Sequence, residues 1–315
     1  MNLLDVFLHT LNVTLPVFAM VFLGIVFKRI GWIDAHFITT ASMLVFRATM
    51  PTLIFLSILR ADLDVALQPA LIGYFLGFSV LSFFLAWGWA QWRCPFEDRG
   101  VFAQGAFRGN CGIVGLALAA SQYGDYGLSL GGIMVGGIIL IYNVLSAAVL
   151  AYHSASAKSG MLAIIRHVTK NPLILSVLLA IPFAYFAIDL PEWVMASGNY
   201  FGAMSLPLAL VCIGGTLSFT SVKRSSKLAL DASLWKIVWL PALGVLGGFA
   251  LGFRGAELGI LFLFLGSPGA AASFVMTKAV NGNAQLSANI IVITTFASLF
   301  TISAGVFLLT ALGLI

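Results

Sequence analysis

The chain has 315 residues, of which 61% are hydrophobic and only 9% charged, with a mean hydropathy of +1.05; an ordinary soluble domain carries about 25% charged residues. That composition excludes a soluble globular fold. The net charge of +5 does not point to nucleic acid, because the 16 basic residues gather mostly in short loops at the ends of apolar runs.

A helix crosses a hydrocarbon core of roughly 30 Å with about 20 apolar residues. Apolar runs bounded by charges, Gly or Pro predict spans near 6–27, 35–59, 68–92, 101–122, 126–152, 171–189, 193–219, 229–252, 257–279 and 285–313. The first run has no basic residue before Lys28, which argues for a retained span over a signal peptide. The expected fold is an all-α membrane protein of ten transmembrane helices.

The longest polar connection, 153–170, divides the chain into a first set of five spans, 1–152, and a second, 171–315. Because five is odd, the second set enters from the opposite side. Eleven basic residues (Lys28, Arg29, Arg93, Arg99, Lys158, Arg166, Lys170, Lys223, Arg224, Lys227 and Lys278) then fall on one face, and two, Arg60 and Arg254, on the other. The first face is assigned to the cytoplasm, with both termini outside.

A nearly constant offset relates the halves. Pro16 and Pro172, and likewise Pro51 and Pro207, are 156 residues apart; Gly109 and Gly266 are 157 apart, and Gly124 and Gly282 are 158 apart. The pattern predicts two inverted five-helix repeats about a pseudo-two-fold axis in the membrane plane.

The fourth span is interrupted by Gly109-Asn110-Cys111-Gly112 and the ninth by Gly266-Ser267-Pro268-Gly269. Lipid cannot satisfy the backbone groups that a break frees, so broken segments are buried in protein or line a watery cavity. Matched breaks in two repeats point to a substrate site, with half-helix N-termini offering N–H donors to an anion. The competing explanation is that the glycines only let helices approach closely.

Two arginines lie inside spans, Arg108 directly before the first break and Arg47 near the middle of the second span. A cation at such depth costs at least about 2.5–3.5 kcal/mol and faces a cavity or a partner. All eleven acidic residues fall at span ends or in loops, so the counter-charge is expected from a ligand, and a guanidinium fork suits a carboxylate. Lys236, near the start of its span, reads as a snorkelling residue, and the four histidines, His9, His36, His153 and His167, as surface residues. Asn143, Ser273 and Asn289 are candidates for a polar pathway or for interhelical hydrogen bonds, and Pro51 and Pro207 for bends around the site.

No metalloprotease, serine-hydrolase or phosphate-loop motif is present. Cys94, Cys111 and Cys212 have no ligand spacing, so no metal, cofactor or disulfide is expected. An enzyme is not expected.

Leu44-Val45-Phe46-Arg47-Ala48-Thr49-Met50-Pro51, Gly109 to Leu116, Lys170-Asn171-Pro172-Leu173 and Gly266-Ser267-Pro268-Gly269, in that order and spacing, resemble the auxin efflux carrier family, which includes plant PIN-FORMED carriers and bacterial malonate or malate permeases. The resemblance implies a scaffold and a transport domain, with crossed, broken helices four and nine around the site. It implies alternating-access transport of a small organic anion, in a bacterial inner membrane, with a homodimer open. Asn110-Cys111 stands where the plant carriers place Asn-Pro, and their long cytoplasmic loop is missing. Both departures argue against auxin and, with Arg108, for a smaller, more strongly anionic carboxylate. Arg108 would pair that carboxylate and Arg47 line its access. Sodium- or proton-coupled uptake and an anion channel are the rival expectations.

Overall fold

The computed structural model describes residues 3–60, 67–153, 172–217 and 227–315, all of its regular structure helical. In chain order the helices are α1 (Leu3–Arg29), α2 (Ala35–Leu44), α3 (Met50–Arg60), α4 (Pro69–Arg93), α5 (Phe96–Phe107), α6 (Leu116–Tyr152, two helical segments joined at a kink where Gly124 has φ 56°), α7 (Pro172–Tyr185), α8 (Glu192–Ala203), α9 (Ser205–Thr216), α10 (Lys227–Leu234), α11 (Leu240–Ala250), α12 (Gly255–Leu265), α13 (Ala272–Ala279) and α14 (Ala284–Ala311). The predicted 153–170 connection, past His153, lies outside the described residues, as do Lys158, Arg166, Lys170, Lys223, Arg224 and His167.

Among the described residues six helices are long and apolar enough to cross a membrane: Ala35–Arg60, Pro69–Arg93, Cys111–Tyr152, Glu192–Thr216, Lys227–Ala250 and Ala284–Ala311. A bent pair, Leu4–Asn12 with Thr14–Arg29, makes a seventh at an angle of 41°. Pro16 explains the bend, since its ring presses on the carbonyl four residues back, at Asn12. Pro172–Tyr185 and Gly255–Leu265 are shorter apolar helices.

Proline also explains two of the wide π turns. Val45–Thr49 and Trp235–Trp239 each end two residues before a proline, Pro51 and Pro241. A proline removes one N–H from the ladder, and a wider turn re-aims the carbonyls it leaves. Pro207 sits in the first turn of α9, after the joint at Met204, where a missing N–H does no harm.

The helices form two groups. In one, α1 packs on α9, α3 on α7 and α8, and α2 on α9; in the other, α4 packs on α5, α5 on α10, α11 on α12, and α14 on α5, α10 and α13. Helix α6 touches both, and α1 also packs on α14 across the two, where Ser303 Oγ donates to Thr14 Oγ1 at 3.1 Å. The contact of α1 with α9 is made through backbone: a Cβ at Gly24 would overlap the Val211 carbonyl, and one at Gly214 the Val21 carbonyl. Small residues allow that approach, which dispersion and polar contacts reward where no hydrophobic effect operates. In the second group the aromatic core joins Phe75 to Phe264 edge-on at 5.8 Å, and Phe83 and Tyr142 to Phe107 at 5.1 and 5.4 Å.

Candidate functional site

Both predicted breaks are real interruptions. Helix α5 stops at Phe107, and Arg108 to Asn110 are non-helical before the Cys111–Gly115 turn leads into α6. Helix α12 stops at Leu265 and α13 begins at Ala272. The interruptions cross: Gly109 and Gly269 form an antiparallel bridge, and the Asn110 amide donates to the Pro268 carbonyl at 2.7 Å. Two chain ends that leave their helices thus satisfy each other, as buried backbone groups must.

The rest of the crossing is closed by side chains. The last carbonyls of a helix have no intrahelical donor; here the Phe264 carbonyl accepts from Ser267 Oγ at 2.7 Å and Cys111 Sγ at 3.3 Å. The Leu265 carbonyl accepts from Lys236 Nζ at 2.6 Å. Thr294 Oγ1 accepts from the Gly269 amide at 2.9 Å.

Beside the crossing lies a cavity of about 280 Å³. Arg108, Gly109, Asn110, Cys111 and Gly112 line it from the first break, and Ala270, Ala271 and Ala272 from the second. Its other walls are Ser42, Val45, Phe46 and Met50 around the first wide turn, Ile138, Ile139 and Tyr142 of α6, Leu173 of α7, and Ala209, Cys212, Ile213 and Thr216 of α9. The N-termini of α13 and of the Cys111 turn therefore both abut the cavity, and the walls are otherwise mainly apolar.

Arg108 is buried. Its Nη2 donates to Asn143 Oδ1 at 2.9 Å, and its Nη1 reaches Met276 Sδ at 2.9 Å, Ser146 Oγ at 3.3 Å and the Tyr142 carbonyl at 3.4 Å. Every one of these acceptors is neutral, and Nε is without an acceptor among the described residues. The one ion pair among those residues, Arg93 with Asp231, is exposed and elsewhere.

The predicted site residues divide accordingly. Gly266, Ser267, Pro268 and Gly269 stand behind the cavity wall, bracing the crossing, while the three alanines after them reach the cavity. Asn143 holds Arg108. Ser273 is buried with its hydroxyl unpartnered among the described residues, and Asn289 accepts from Gln285 Nε2 at 2.9 Å. Neither they nor Pro51 and Pro207 line the cavity. Arg47 is exposed, as are Met43 and Leu44 one turn before it, and is not among the residues that line the cavity.

Two expectations are corrected. Lys236 does not snorkel: it is fully buried. The sequence carried the signal, since Ala229, Ala232, Ser233 and Lys236 recur at i, i+3, i+4 and i+7 and all four are buried. A stripe of small residues marks a closely packed interior face, and the lysine continues it. His153 is likewise buried, with Nε2 accepting from Trp87 Nε1 at 2.9 Å. Tyr142, which walls the cavity and stacks edge-on against Phe107, had no sequence signal apart from its neighbour Asn143.

The profile of a family described as membrane transport protein matches residues 9–305. An uncharacterized transporter of Methanothermobacter thermautotrophicus is 24% identical over 304 residues, covering 94% of this chain and 97% of the relative. An uncharacterized transporter of Methanocaldococcus jannaschii is 24% identical over 308 residues, covering 93% and 96%. With its apolar helices, the chain is thus a multi-pass integral membrane protein, and it belongs to the membrane transport protein family, the family of the auxin efflux carriers.

Proposed function

We propose that the chain is a secondary carrier that moves a small carboxylate across the membrane by alternating access. The observation that carries this reading is Arg108: a buried guanidinium on the cavity wall, held among the described residues by neutral acceptors only. A buried cation without a counter-charge is expensive, and a carboxylate in the cavity supplies one. The two helix N-termini add donors and positive dipole ends. The apolar walls favour an anion with one charged end and a hydrocarbon body over a compact dianion, which modifies the expectation from sequence.

Ten spans in two inverted repeats are the architecture that fits this role. The packing supports it, because α1 of the first span meets α9 of the seventh while α3 of the second meets α7 of the sixth. A pseudo-two-fold axis generates that kind of exchange. The cavity includes Thr216, next to Gly215, whose carbonyl accepts from Lys28 Nζ at 2.6 Å. Lys28 belongs to the strongly basic face, so this end of the cavity lies toward the cytoplasm in this reading. Export of a monovalent anion from a negative interior is favoured by about 2.3 kcal/mol per 100 mV and needs no coupled ion.

The test is flux of labelled malonate, malate, succinate, lactate and indole-3-acetate in proteoliposomes under a set voltage, for wild type and Arg108→Ala. Saturable flux of one anion, lost in the variant, is the expected result. Equal flux in both removes Arg108 from the site, and no flux of any anion rejects a carboxylate substrate.

A further inference from the structure

Lys236 is the second buried cation of the crossing. It comes from the wide turn Trp235–Trp239, is fully buried, and places its ammonium 2.6 Å from the Leu265 carbonyl, the last residue of α12. It also lies directly behind the first break: a Cβ at Gly109 would stand 3.1 Å from Lys236 Cε and 3.2 Å from Nζ. No carboxylate among the described residues pairs with it. The cavity side of the crossing is thus faced by helix N-termini and Arg108, and the opposite side by a helix C-terminus and Lys236.

The C-terminal end of a half-helix carries a partial negative charge and carbonyls without donors. In carriers built on broken helices, such ends and the unwound carbonyls beside them hold the coupling cation. Here the Phe264 carbonyl is taken by Ser267 and Cys111 and the Leu265 carbonyl by Lys236, so that place is filled by a cation fixed to the chain.

We propose that Lys236 is a tethered substitute for a dissolved coupling cation, so that the crossing is electrostatically complete without sodium. This rests on the carrier reading above. Lys236 acts on the substrate through the crossing and is a positioning residue, because its ammonium is absent from the cavity lining. A merely structural lysine would be replaceable by any side chain that fills its volume, whereas a tethered cation is replaceable only by a cation.

The experiment uses the full chain, reconstituted and in detergent. Wild-type anion flux is expected to be the same in sodium, potassium and choline media. Lys236→Met, which keeps the packing, is expected to raise the anion KM by at least about tenfold, a loss of about 1.4 kcal/mol. Lys236→Ala, which leaves a void of the lysine's shape, is expected to regain flux with ethylammonium or sodium and not with choline. Its melting temperature in detergent should rise with ethylammonium while that of wild type does not. Sodium-dependent wild-type flux, a Lys236→Met variant with wild-type KM, or a Lys236→Ala variant whose flux and melting temperature ignore small cations would each overturn the proposal. If wild type moves no carboxylate the carrier reading fails, and the melting-temperature comparison still decides the role of Lys236.

Discussion

The amide of Asn110 donates to the carbonyl of Pro268 at 2.7 Å, tying together two interruptions separated by more than 150 positions in the chain. The knot has no spare room. A Cβ at Gly109 would lie 2.6 Å from Ser267 Oγ and 3.1 Å from Lys236 Cε. Gly109→Ala is therefore expected to lower the melting temperature in detergent, by about 1–3 kcal/mol of stability for a small-to-large change in a packed interior. Ser267→Ala removes the nearest atom. The double variant should be less destabilised than the sum of the two single changes, and strict additivity would show that the glycine is not held by that contact.

Asn143 supplies the 2.9 Å acceptor to Arg108 Nη2. Replacing it with a carboxylate of the same shape tests whether Arg108 is waiting for an anion. Asn143→Asp is expected to raise the melting temperature through a charge-assisted pair while abolishing anion flux, because the new acid competes for the guanidinium. A variant that transports as wild type does would place the substrate away from Arg108.

Gly24 and Gly214 let α1 and α9 meet backbone to backbone. Gly214→Leu should destabilise the chain by more than about 1–3 kcal/mol, since neither helix has a side chain to move aside and whole helices must separate. A melting curve checks this. Gly73→Leu is the control: a Cβ there meets nothing within 4 Å, and little change is expected.

Cys94, just past the end of α4, has its thiol pushed up to about 12, first by burial and then by the charges of Asp98 and Asp231. The reactive thiolate is then scarce at neutral pH. A variant retaining only Cys94 should resist iodoacetamide at pH 7–8 and begin to label only under strongly alkaline conditions. Rapid labelling at pH 7 would show that this corner opens.

Much of the site was legible because it is built from local chemistry. Glycine, proline and small polar residues in mid-span announce a helix break wherever they occur, and the bend before Pro16 and the wide turns before Pro51 and Pro241 follow from a missing N–H. Direction was harder to read than depth. Arg47 and Lys236 both lie inside apolar runs, yet one is exposed, as Met43 and Leu44 are, and the other is buried, as Ala229, Ala232 and Ser233 are. The rotational setting of a helix is carried by its neighbours at i±3 and i±4, which must be weighed together with the charged residue. The cavity walls contributed by Tyr142, Cys212 and Thr216 depend on which helices meet, and ordinary apolar runs do not encode that.

The cavity has no owner among the two helix groups. Val45 and Ile213 border it from the group of α2 and α9, and Asn110 and Ala271 from the breaks associated with the other group. An occupant seated there would have one flank against each group, so its grip would be a joint property of both. On the carrier proposal, sliding one past the other would strip contacts from one flank of the solute, and the dissociation rate would become a gauge of their alignment.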